Sequence, residues 1–256
     1  MERIVAFSYG TLCYLLCLAT FLYAVAFVGN VGLSQTIDGE PTLPFGQAVL
    51  INTLLLGLFV VQHSVMARPA FKWWWTRFIP KPVERSTYVL FSSLALLLLF
   101  HAWQPMGGTV WEAHDPILRG MIYGLFAGGW LLILVATFLI NHFDLFGMRQ
   151  VWLYLKGLPY TSLRFATPGL YRYVRHPLYV GWLLTFWATP TMTAAHLVFA
   201  IATTAYILIA IRWEERDLVE AHGSAYAQYR KEVPMLVPAV RPYATAGLRP
   251  DIARVS

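Results

Sequence analysis

Five long stretches of this chain carry no Asp, Glu, Lys or Arg: Val5–Val28, Phe45–Met66, Tyr88–Trp103, Gly120–Ile140 and Pro177–Ile211. A helix needs about 20 predominantly apolar residues to cross a bilayer, so these runs read as membrane spans. Composition points the same way. Only 12% of the residues are charged, against roughly 25% in soluble domains, and 58% are hydrophobic. A chain of 256 residues has too little interior to hide that much apolar surface from water. Disorder, a disulfide scaffold and a soluble Rossmann enzyme all fit poorly.

The first four runs predict four spans. Val5–Val28 reads as a span rather than a signal peptide, because its start is Met1-Glu2-Arg3 and no small-residue cleavage site follows. Gly124, Gly128 and Gly129 in the fourth run have the spacing that lets helices pack closely. The fifth run is uncharged for 35 residues. As one helix it would be about 52 Å long, too long for a single crossing at an ordinary tilt. Pro190, flanked by Thr189 and Thr191, offers a break. The run therefore predicts a hairpin, Leu178–Thr189 and Ala194–Trp213, whose first arm is short for a full crossing. The expected fold is all-α and polytopic. A four-span bundle over 1–140 is followed by a hairpin and tail over 141–256, all in one domain.

The basic residues set the orientation. Arg3, the loop holding Arg68 to Arg85, the loop holding Arg149 to Arg175 and the segment after the hairpin together carry 18 of the 19 Lys and Arg residues; Arg119 is the exception. The opposite loops hold Asp38, Glu40, Glu112 and Asp115. The positive-inside rule then places both termini on the cytoplasmic side. Topology accounts for the net charge of +6, so no nucleic-acid partner is needed. Cys13 and Cys17 share a helical face and read as small reduced core residues; no metal site is expected.

The unusual polar groups gather at the same edge. Gln62-His63-Ser64 and Arg68 end the second span, and Glu84-Arg85-Ser86-Thr87-Tyr88 opens the third. Asn141-His142-Phe143-Asp144 ends the fourth. Arg175-His176-Pro177 opens the hairpin, and Glu214-Glu215 closes it. Each alone is as well explained as an interfacial anchor or a loop ion pair. Their convergence on one side of one membrane points to a site, because ionisable groups at membrane depth are costly and tend to be functional.

Arg175-His176-Pro177-x-Tyr179-x-Gly181, a hairpin, then Glu214-Glu215, Tyr226, Tyr229 and Val233-Pro234 resembles the isoprenylcysteine carboxyl methyltransferase and phospholipid methyltransferase superfamily over about 168–238. Gln62-His63-Ser64-Val65-Met66-Ala67-Arg68-Pro69, Glu84 to Tyr88 and Asn141 to Gly147 resemble the bacterial methanethiol S-methyltransferases, which extends the likeness over most of the chain. The resemblance implies S-adenosylmethionine as cofactor, held between hairpin and tail, and a small thiol as substrate. It implies that Arg175 or Arg230 holds the cofactor carboxylate and that Glu214 or Glu215 takes its amino group or ribose hydroxyls. His176 and Pro177 belong to the same motif. Tyr179, Tyr226 and Tyr229 would offer aromatic faces, and Gly181 a close approach. His63, His142 and Asp144 are the candidate bases for the thiol proton, with Tyr88 and Arg68 as positioners. His63 comes first, since Arg68 one turn on would stabilise the thiolate. A prenylcysteine or phospholipid amine remains open as substrate. So does a bis-histidine haem or quinone carrier using His63 and His142, with His101 and His196 near the opposite face.

Overall fold

The computed structural model describes residues 1–243. Arg249 and Arg254, two of the basic residues assigned to one side above, lie outside them. Five helices are long and apolar enough to cross a membrane. They are α1 (Glu2–Gly29), α2 (Phe45–Ala67), α4 (Glu84–Ala102), α5 (Pro116–Ile140) and α9 (Ala194–His222), with the short α3 (Pro69–Trp75) following α2. The remaining elements are β1 (Thr109–Glu112), α6 (His142–Leu145), α7 (Met148–Lys156), α8 (Pro177–Trp187), β2 (Thr191–Thr193) and α10 (Ser224–Glu232). The protein is an all-α polytopic membrane protein with one small ribbon.

Local chemistry marks the helix ends. Asp115 caps α5 by accepting from the Leu118 amide, and Pro116 occupies its first turn, where its missing N–H costs nothing. Asn141 ends α5 at φ 103°, and its side chain then accepts from the Asp144 amide to start α6. Thr193 caps α9 in the same way, through the His196 amide.

The hairpin differs from the expected one. Its first arm is an 11-residue helix, about 16 Å long, roughly half a membrane. Residues 188–190 lead into β2, which pairs antiparallel with β1, Thr109 opposite Thr193 and Glu112 opposite Thr191. This ribbon spans about eighty residues of sequence, which local patterning does not report. The second arm runs on to His222, so Glu214 and Glu215 sit on a helix that continues past the membrane instead of closing the hairpin.

Two glycines bring α5 and α8 together. A Cβ on Gly129 would stand 2.8 Å from Thr185 Cγ2, and one on Gly181 would stand 2.9 Å from the Gly129 carbonyl oxygen. Gly124 and Gly128 face open space, so the glycine stripe is a one-residue contact. Gly181 is thereby accounted for by helix packing, and the cofactor approach suggested for it is not what its missing side chain makes room for.

The ribbon end is locked by a buried polar knot. Asp38 accepts from Asn30 Nδ2 at 2.7 Å and from the Thr193 hydroxyl, and lies 3.3 Å from His196 Nδ1. The other nitrogen of His196 faces the Phe186 carbonyl at 3.0 Å. Burial alone would raise the Asp38 pKa; the hydrogen bond and attraction of His196, then Thr193 and Asn30, outweigh it and hold it below the usual value. Trp103 is fully buried alongside and donates to the Ile37 carbonyl.

Candidate active site

At the basic end the start of α8 meets the far part of α9. Arg175 and His176 precede the helix, and Pro177 occupies its first position. Arg175 Nε donates to Glu215 Oε1 at 2.7 Å. Its Nη1 donates to the carbonyls of Arg230, at 2.9 Å, and Val233. His176 Nε2 lies 3.1 Å from the same Glu215 oxygen. The imidazole therefore stands between two carboxylates, because Glu214 Oε2 is 3.9 Å from its Nδ1.

The C-terminal tail is laced to this motif by its backbone. The Arg175 amide donates to the Pro234 carbonyl, the His176 amide to Met235 and the Ala239 amide to Tyr173. Tyr226, Tyr229 and Val233 form a buried cluster with Phe165 beneath the tail, and the Tyr229 hydroxyl donates to the Tyr171 carbonyl at 2.6 Å. Burial, then the nearby Glu215, pushes the Tyr226 phenol above its ordinary pKa. Burial raises that of Tyr229 against the opposing pull of Arg175.

These contacts divide the residues that sequence grouped together. Arg175 directs Nε to Glu215 and Nη1 to the tail carbonyls, whereas the Arg230 side chain is exposed. Tyr226 and Tyr229 are packed into the tail cluster and do not present open faces. Glu214 is the more exposed of the two carboxylates, its side chain 44% exposed. It stands beside Tyr179, whose ring centroid is 5.5 Å from that of His176. A carboxylate beside an aromatic face suits a sulfonium-bearing group with hydroxyls.

A second cluster lies where α2, α4 and α9 meet. The Tyr88 hydroxyl is 2.8 Å from His63 Nε2. Ser92 Oγ is 3.1 Å from Nδ1, and Gln62 Nε2 donates to that same Ser92 oxygen at 3.4 Å. The His63 ring stacks on Phe59 and meets the edge of Tyr206, whose hydroxyl is 3.1 Å from Ser64 Oγ. Gln62 Oε1 is buried without a partner among the described residues. Tyr88 and Tyr206 are near enough to Tyr179 to act on it electrostatically, which sets this cluster beside the hairpin motif. Ser92 was within reach of sequence reasoning, one turn after Tyr88 on the same face. Tyr206 was not, since it meets Ser64 across 142 residues.

Arg68, His142 and Asp144 are placed differently from expectation. Arg68 pairs with Asp217 at 3.2 Å and lies over Trp213, fastening the end of α2 to α9, so it is not aimed at a thiolate. The Thr137 hydroxyl donates to the Leu134 carbonyl, so it must accept from His142 Nδ1, 2.9 Å away. His142 Nε2 then accepts from the Tyr14 hydroxyl at 2.8 Å. Both nitrogens are used, and Phe138 stacks on the ring with centroids 4.3 Å apart. Asp144 is held by Arg149 at 3.0 Å, by Gln150 and by Tyr160. His142 ties α5 and α6 to α1, on the other side of α4 from His63, and Asp144 ties α6 to α7 and Tyr160. Two histidines so separated do not make a haem pair.

Residues 123–225 match the phospholipid methyltransferase family. The methanethiol S-methyltransferase of Crocosphaera subtropica is 57% identical over 238 residues, 93% of either chain. That of Mycobacterium tuberculosis is 52% identical over 93% of this chain and 98% of its own. Methanethiol S-methyltransferase 1 of Bradyrhizobium diazoefficiens is 50% identical over 92% and 83%. No solved structure matches the chain. Fold, site and likeness together define a polytopic membrane methyltransferase, an enzyme that uses a methyl donor. Within that class, the chain belongs to the methanethiol S-methyltransferase family.

Proposed function

We propose that the protein transfers the methyl group of S-adenosylmethionine to methanethiol, giving dimethyl sulfide and S-adenosylhomocysteine. The observation that carries this reading is the extent of the likeness. The phospholipid methyltransferase family matches residues 123–225, whereas the likeness to the methanethiol enzymes runs over nine-tenths of the chain, a length that takes in α2 and α4. In this reading Glu214, Arg230 and Tyr179 hold the methyl donor, which supplies an electrophilic methyl on a sulfonium. Arg175, His176 and Glu215 keep the tail closed behind it. His63 takes the thiol proton directly or through Tyr88, with Ser92 fixing the ring. Orientation of the two reactants contributes the rest.

The basic end faces the cytoplasm of a bacterial inner membrane in this proposal, so a reporter within 38–42 reads external and one within 68–85 reads cytoplasmic. The direct test incubates purified protein and S-adenosylmethionine with methanethiol, longer thiols, a prenylcysteine and phosphatidylethanolamine. Dimethyl sulfide as the dominant product is the expected result. Methylation of the prenylcysteine or the lipid amine in preference would overturn the substrate assignment while leaving the enzyme class intact.

A further inference from the structure

On the opposite side of α4 from His63, a groove of about 460 Å³ opens between the start of α1 and the short helix α7. Its walls come from three separate elements: Phe7 on α1, Phe143 on α6, and Met148 and Trp152 on α7. Phe143 and Trp152 are about half exposed, and the Phe7 and Trp152 rings stand 5.8 Å apart. Helix α7 is too short to cross a membrane and joins no span end to end; it lies against α1 at the level where the spans stop.

The end of α7 is basic. Lys156 Nζ lies 4.8 Å from the Trp152 ring, and the Arg3 guanidinium lies over Tyr154, beside Gly157, which ends the helix at φ 73°. Both cations lie by the negative end of the helix dipole, which favours positive charge there. Among the described residues neither has an acidic partner within ion-pair distance, whereas the nearby Arg149 is held by Asp144. An apolar trough with two uncompensated cations at one end matches one molecule type of the surrounding leaflet. We propose that this groove binds an anionic glycerophospholipid, its acyl chain against Phe7, Phe143, Met148 and Trp152 and its phosphate at Arg3 and Lys156. Such a lipid fastens α7 to α1 and is separate from the methyl-transfer site.

Native mass spectrometry of the full chain in detergent, supplemented with phosphatidylglycerol or phosphatidylcholine of matched chains, tests this. The wild type is expected to retain one phosphatidylglycerol in preference to phosphatidylcholine. Arg3→Gln and Lys156→Gln should each weaken retention roughly fivefold, the effect of about 1 kcal/mol per basic residue near a membrane surface. Met148→Trp should fill the trough and block both lipids. A second readout avoids reliance on that variant's folding: brominated-chain phosphatidylglycerol should quench wild-type tryptophan fluorescence more than it quenches Trp152→Phe. Equal retention of the two lipids by the wild type would overturn the proposal. So would unchanged phosphatidylglycerol binding in the Arg3/Lys156 double variant, or a lipid-free dimer that buries Trp152.

Discussion

His63 and His142 each close a span at the basic end, each beside a tyrosine hydroxyl on a neighbouring helix, and they differ in what surrounds them. His142 is boxed in: one nitrogen is fixed as donor by a threonine whose proton is already used, and aromatic rings cover the ring plane. His63 sits among Ser92 and Tyr88, hydroxyls that donate or accept equally well, next to a buried amide oxygen with no partner. A saturated buried network rigidifies the fold; an unsaturated one keeps capacity for a further partner. Residue type and span position did not separate these two histidines, and their partners do.

The largest effect is expected where both faces depend on the same support. Glu215 is buried and anchors Arg175 and His176. Removing one member of a buried ion pair typically costs about 3–5 kcal/mol, because the remaining charge is left unpaired. Glu215→Ala should therefore reduce methyl transfer to background, lower the melting temperature and weaken S-adenosylhomocysteine binding at least roughly tenfold, about 1.4 kcal/mol. Glu215→Gln keeps a hydrogen-bond acceptor and should fall between. Calorimetric binding and a thermal melt check both, and wild-type values in Glu215→Ala would detach the donor site from this end of the hairpin.

The next effect tests the comparison directly. His63→Gln should lower turnover by about 10²–10⁴-fold, the usual range for a general base, with S-adenosylhomocysteine affinity near wild type. The deficit should shrink as pH rises toward the thiol pKa, since the thiolate then forms unaided. His142→Gln should instead lower the melting temperature and leave a turnover deficit that does not change with pH in the folded fraction. A pH-dependent deficit in the His142 variant and a flat one in the His63 variant would invert the two assignments. Tyr14→Phe, which deletes one hydroxyl from the His142 box, should cost about 1 kcal/mol of stability and little activity.

Much of this was open to reading from sequence. The uncharged runs gave the spans because a bilayer imposes length and charge limits that few other environments do. Arg175, His176, Glu214 and Glu215 could be grouped because a hairpin returns its two ends to the same face. The change from helix to strand after the first arm was hidden, because an uncharged run of 35 residues says nothing of where one gives way to the other. The pairing of Thr191–Thr193 with Thr109–Glu112 rests on tertiary context alone. The separation of His142 from His63 was hidden for a related reason: α4 stands between them, turning Thr87 to α1 and Tyr88 to α2, and adjacent residues there serve different walls. Gly128 and Gly129 show the same limit, since only the second meets α8.

The smallest expected effect is a pH dependence of stability. Burial holds the His142 pKa below its ordinary value, so the ring is neutral when folded, whereas in the unfolded chain it titrates near about 6.5. Below that value the unfolded state binds the additional proton, and stability must fall with falling pH until the folded pKa is reached. Each pH unit within that window is worth at most about 1.4 kcal/mol, or roughly 3–6 °C in a chain of this size. Every other ionisable group is common to wild type and variant. The difference between wild type and His142→Gln therefore isolates this ring. Melting at a fixed scan rate at pH 7.5 and 5.5 should show wild type losing a few degrees more than the variant. Equal losses would mean that His142 accepts a proton without disturbing its neighbours, and the Thr137–His142–Tyr14 chain would no longer distinguish it from His63.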